Sequence, residues 1–161
     1  MARGFTIVEL IVVIILLSVL SVVALSRSVG ASAFEAAVLS DFVLEEWRFA
    51  QRLASVRQDS PVQLQLAAGA TELTASLVLG GTTTVRQRQW ETAATLSNSG
   101  TVLSSGQLAT FSYAGSGQLV AASWNGAVLD PTLGVQIDVN GENPRVLCLY
   151  PSGYGDAAVC Q

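Results

Sequence analysis

Three small groups of side chains in this 161-residue chain have the types and spacing for binding or chemistry. In "TTTVRQRQW", Arg86, Arg88 and Trp90 alternate, so a strand would place two guanidinium groups and an indole on one face. Such a face can stack on bases or hold a phosphate. It can equally be solvated strand surface, or an intramolecular partner for a carboxylate such as Glu46. In "DVNGENP", Asp138, Asn140 and Glu142 gather oxygens in a turn that loosely suggests calcium. Three oxygens fall short of the roughly six to eight that calcium takes, and Asn-Gly ahead of a proline is also a plain hairpin turn, so no metal is assigned. The third group is one residue, Glu9, the single acid in a run otherwise uncharged from Phe5 to Leu25.

The composition removes most catalytic chemistry. There is no histidine, and hence no usual general base, no commonest metal ligand, and no Ser-His or Cys-His pair. Serine and threonine are abundant but nothing activates them, so the chain is read as a non-enzyme without a cofactor. The two cysteines, Cys148 and Cys160, both fall in the last fourteen residues; an even pair in an exported chain predicts a disulfide that ties the C-terminus to the preceding strand, the alternative being two reduced buried thiols. All eight cations are arginines, and from Arg27 onward seven of them face eleven carboxylates. That acidic balance repels nucleic acid and anionic lipid, and nucleic-acid binding is not expected.

The elements that must position these groups begin at the N-terminus. Leu10 to Ser26 is seventeen uncharged residues, about 25 Å as a helix, and about 33 Å counted from Phe5. A cleaved secretory signal, with small residues near Ala24 to Ser26, and a plain signal anchor both suit that run. Neither gives Glu9 a use, although a carboxylate at mid-bilayer costs up to about 2.5 to 3.5 kcal/mol.

Gly4-Phe5-Thr6-Ile7-Val8-Glu9-Leu10, followed by the aliphatic run, resembles the class III signal of type IV prepilins and type II secretion pseudopilins. The resemblance covers about the first 26 residues. It implies that a prepilin peptidase cuts between Gly4 and Phe5 and methylates the new N-terminus of Phe5. It also implies that Thr6 and Glu9 serve assembly, with Glu9 pairing with the N-terminal amine of a neighbouring subunit. The physics agrees: in a water-free bundle of identical helices a carboxylate is tolerable only when paired, so it penalises misregistered neighbours. Many pilins have a helix-breaking proline where this chain has Ser26. "FSYAGSGQLVAASW" is similar to the strand-glycine-strand segment of GspH/FimT-type minor pilins, a branch in which some members are implicated in DNA uptake. Major pseudopilins bind calcium near their C-terminal end.

Beyond Gly30, Leu39, Phe42, Val43, Phe49, Leu53 and Val56 recur at three- and four-residue steps, an amphipathic helix ended by Ser60-Pro61. From Val62 the period changes to two. Strands are predicted near Val62–Ala67, Thr71–Leu79, Thr82–Trp90, Leu108–Tyr113, Gln118–Trp124, Gly134–Val139 and Arg145–Tyr150, with "SNSGTVLSSG" a low-complexity loop. The expected fold class is α+β and pilin-like: a long N-terminal α-helix, transmembrane and then amphipathic, packed on an antiparallel β-sheet head. The segments are a cleaved leader (1–4), a transmembrane or filament-core helix (5–26), an amphipathic helix (27–59) and a β-rich head with a C-terminal disulfide loop (60–161).

The function so implied is that of a structural subunit, of the minor kind, of a type IV pilus or a type II secretion pseudopilus. Its partners would be prepilin peptidase, other pilin or pseudopilin subunits and an inner-membrane assembly platform. The head would be periplasmic on a single-pass chain in the bacterial inner membrane until assembly. The alternative is a signal-anchored periplasmic binding module that does not polymerise.

Overall fold

The computed structural model describes residues 7–160, the side chains of 22–33 excepted. Its helical element, α1 (Ile7–Val56), precedes every strand. Two stretches of it are described down to the side chain, 7–21 and 34–56, and their surroundings are opposite. Every side chain of the first is exposed. The second buries Leu39, Val43, Trp47, Ala50 and Ala54, whose steps of three and four keep them on one face.

Among the described residues eleven strands follow: β1 (Val62–Ala68), β2 (Glu72–Leu79), β3 (Thr83–Glu91), β4 (Thr95–Asn98), β5 (Thr101–Val102), β6 (Leu108–Tyr113), β7 (Leu119–Trp124), β8 (Ala127–Leu129), β9 (Val135–Asn140), β10 (Arg145–Leu149) and β11 (Gly155–Asp156). They form two antiparallel sheets, one ordered β3-β2-β1-β6-β7-β8 and the other β11-β10-β9-β4-β5. Seven strands lie within one residue of where the period-two pattern places them. The alternation does the work: Val62, Leu64 and Leu66 point inward from β1 while Gln63 and Gln65 point out, and Ala109, Phe111 and Tyr113 do the same in β6. In β10 the alternation breaks, with Leu147, Cys148 and Leu149 all buried. The disulfide accounts for it, because Cys160 and Gly134 cover Cys148 on the strand's second face.

The 34–56 stretch touches β1, β2 and β6 of the larger sheet and β9, β10 and β11 of the smaller one, so a single helix face closes both sheets into one core. Trp47 stands edge-on to Phe111 with ring centroids 5.5 Å apart. Each such large side chain contributes roughly 1.5–3 kcal/mol by leaving water.

The expected fold class needs correction. Among the described residues no helix is long and apolar enough to cross a membrane. The single sheet is also wrong, because "SNSGTVLSSG" is a hairpin and not a loop. Ser99 (φ 47°) and Gly100 (φ 80°) are both left-handed, the two-residue turn that matches strand twist, and it joins β4 to β5. Strand β4 then pairs with β9 and so founds the second sheet. The helix stops at Val56, short of the expected Asp59.

Candidate functional site

The stretch 7–21 presents an exposed surface that is aliphatic apart from Glu9, Ser18 and Ser21. Ile7 is 78% and Leu20 63% exposed. Its two serines do not dilute that surface, since Ser18 Oγ donates to the Ile14 carbonyl and Ser21 Oγ to the Leu17 carbonyl, each at 2.7 Å. Glu9 stands in the first turn, the one acid on it. Gly4, Phe5 and Thr6 lie outside the described residues.

Arg86, Arg88 and Trp90 share the helix-facing side of β3, as their spacing requires, and they are engaged from within the chain. Arg86 Nη2 and Arg88 Nη1 each donate to Glu46 Oε1 at 3.0 Å, and Arg88 Nη1 donates also to Glu45 Oε1 at 2.9 Å. Glu46 is 1% exposed. The guanidinium of Arg86 lies 4.4 Å from the Phe49 ring centroid, that of Arg88 5.3 Å from Phe42, and Trp90 packs on Phe42 at 5.9 Å. Hydrogen bonding by Glu45 above all, with Glu46 beside it, raises the Arg88 pKa above its ordinary value. The cluster is an internal clamp between helix and edge strand, with the stems of both arginines laid on aromatic rings.

The turn candidates do not converge. Asp138 Oδ1 accepts from Gln136 Nε2 at 3.0 Å, Asn140 Nδ2 donates to Ser97 Oγ at 2.9 Å, and Glu142 is on the exposed turn beyond β9. Among the described residues no group of three or more Asp, Glu, His or Cys is placed to hold a metal ion. The oxygens of Asp138 and Asn140 belong to the outward face of the smaller sheet.

Cys148 and Cys160 form a disulfide, with Cα atoms 5.1 Å apart. What the sequence did not disclose is how the segment it closes straps the helix. Gln51 Nε2 donates to the Ser152 carbonyl at 3.0 Å, Leu119 N to the Pro151 carbonyl at 3.1 Å, and the Arg48 guanidinium lies 5.7 Å from the Tyr154 ring centroid. At Gly155 a Cβ would come within 2.6 Å of the Trp47 ring. The small residues of "PSGYGDAA" were the available signal, since close backbone approach to an indole demands glycine.

Compared with known protein families, with curated proteins and with solved structures, the chain matches none. The arrangement itself offers surfaces for packing: a solvent-facing aliphatic stretch, and a head whose arginine cluster is paired internally.

Proposed function

We propose that the chain is a structural subunit of a type IV pilus or type II secretion pseudopilus, cut by prepilin peptidase between Gly4 and Phe5 and assembled through its N-terminal helical stretch. The observation that carries this reading is the exposure of every side chain from Ile7 to Ser21 while the head keeps a complete core of its own. Each aliphatic side chain left in water forgoes roughly 1.5–3 kcal/mol, so a surface of this extent calls for cover. A stretch apolar all round suits the interior of a bundle of like helices. The prepilin-like run Gly4 to Leu10 supplies the second support, because it places a cleavage point and one acid at the head of that stretch.

Intact-mass spectrometry of the chain purified from cells with the export machinery tests it. The expected species begins with N-methylated Phe5. A retained Met1, or a terminus near Ala24, would overturn the proposal in favour of a tethered or freely exported head.

A further inference from the structure

Among the described residues the two sheets end in four edge strands. Three of them are short: β8 has three residues, and β5 and β11 have two each. The fourth, β3, has nine, and it contains neither proline nor lysine. Short strands, proline, lysine and inward charges are the usual guards of an edge. In β3 the inward charges, Arg86 and Arg88, are already neutralised by Glu45 and Glu46. The register shift of the β2–β3 pair falls between Leu77 and Val78, which leaves residues 86–91 regular.

The phase of the ladder says which backbone groups this edge offers. Thr92 N donates to the Thr71 carbonyl at 2.9 Å, one step beyond the opposed residues Glu72 and Glu91. Residues bonded to the partner strand alternate with residues whose N–H and C=O point away from it. Arg86, Arg88 and Trp90 are therefore bonded to β2, and Gln87, Gln89 and Glu91 turn their backbone groups outward. Their side chains are exposed on the face away from the helix.

The helix leaves apolar surface beside the same edge. Phe42, Phe49 and Val56 follow at steps of seven, on one line of α1. Trp90 packs on Phe42 and the Arg86 guanidinium on Phe49, so the line runs back along β3 and Val56 continues past it. Phe49 is half-buried and Val56 is 79% exposed.

We propose that β3 receives an extended segment of another protein by strand addition, with apolar side chains of that segment at alternate positions turned toward Phe49 and Val56. Only a polypeptide backbone presents C=O and N–H alternately at ladder spacing, which fixes the class of occupant. A second copy's β3 is a poor fit, because its inward residues at that flank are Arg86 and Arg88, each held by its own helix. Glu72 and Glu91 stand directly opposite each other at one end of the edge, so a basic residue of the segment is favoured beside Glu91 and an acid is opposed. The inference goes beyond the filament reading and does not need it, since β3 belongs to the head.

The probe is a fluorescent peptide of the β1 sequence, Val62–Ala68, whose Val, Leu and Leu alternate with glutamines, titrated with the full chain in detergent and followed by anisotropy. Saturable one-to-one binding is expected. Gln89→Pro removes an outward N–H and keeps the ladder to β2, so it is expected to weaken binding at least about tenfold while the urea midpoint stays near that of the wild type. A peptide N-methylated at every residue tests the same hydrogen bonds without altering the chain, and the same loss is expected. Peptides carrying Gln63→Lys and Gln65→Lys are expected to bind about two- to fivefold more tightly than those carrying glutamate there. Absence of saturable binding, undiminished binding of the N-methylated peptide, or undiminished binding to folded Gln89→Pro overturns the proposal. So does a dimer of the chain that Gln89→Pro dissociates, because it seats a second copy on the edge.

Discussion

Glu46 Oε1 lies 3.0 Å from both Arg86 Nη2 and Arg88 Nη1, so one buried carboxylate oxygen fastens the helix to the edge strand of the larger sheet. The two sides of this clamp differ in burial: the arginine side chains are 30% and 38% exposed, and the acid is 1% exposed. Removing both cations strands a charge in the core, and Arg86→Met with Arg88→Met is expected to cost about 3–5 kcal/mol in urea unfolding. Glu46→Gln leaves two guanidinium groups that can turn toward water, and it is expected to cost less. The reverse order would mean that the carboxylate is solvated and the clamp is not what fixes β3.

The strap gives a separate expectation. Cys148→Ser with Cys160→Ser opens a loop of sequence separation 12, and the chain-entropy account assigns such a closure about 3 kcal/mol. Because Gly155 rests on Trp47, the same variant is expected to shift tryptophan emission to longer wavelength. Unchanged emission and an unchanged midpoint would show that Gln51, Pro151 and β11 hold the strap without the bridge.

Much of the head was legible because each strand has one buried face: the alternation in Val62–Ala68 or Leu108–Tyr113 is the direct imprint of a core on one side. The second sheet was not legible. Its β4 and β5 are four and two residues long, too short to show a period, and they are founded by the backbone conformation of Ser99 and Gly100 rather than by hydrophobic pattern. The shared face of Arg86 and Arg88 was readable from their spacing, with Glu46 as one candidate intramolecular partner; the pairing itself depends on the register of β3 against β2, which spacing alone does not give. Distance in sequence hid the strap, since it joins residues 44–51 to residues 151–155 through glycine contacts that carry no periodic signal.

Tyr113 is buried, and its hydroxyl has no hydrogen-bond partner among the described residues. Burial raises its pKa well above the ordinary phenol value. The sign is therefore alkaline: below about pH 10 both folded and unfolded phenols are neutral, and above it only the unfolded one ionises, so stability falls by up to about 1.4 kcal/mol per pH unit. Tyr113→Phe is expected to remove that alkaline loss and, by deleting an unsatisfied hydroxyl, to add about 1 kcal/mol at neutral pH. Urea midpoints for the two proteins at about pH 8 and about pH 11 check both effects. Parallel alkaline losses in the two proteins would place the titrating group elsewhere.

Glu9 stands at the head of the exposed aliphatic stretch, and in the filament reading its carboxylate meets the new amine of a neighbour's Phe5. Truncating one member of a buried, hydrogen-bonded charge pair costs about 2–5 kcal/mol, which is a loss of more than about tenfold in subunit incorporation. Glu9→Ala is therefore expected to be exported and cleaved as the wild type is, and to be depleted from sheared, pelleted filaments. Glu9→Gln separates charge from shape, because it keeps the length and hydrogen-bonding capacity of the side chain. If pairing with an amine is the role, Gln fails as Ala does; incorporation of Glu9→Gln at the wild-type level would mean that the residue acts by packing, and the electrostatic account of register would fall while the cleavage at Gly4-Phe5 could still stand.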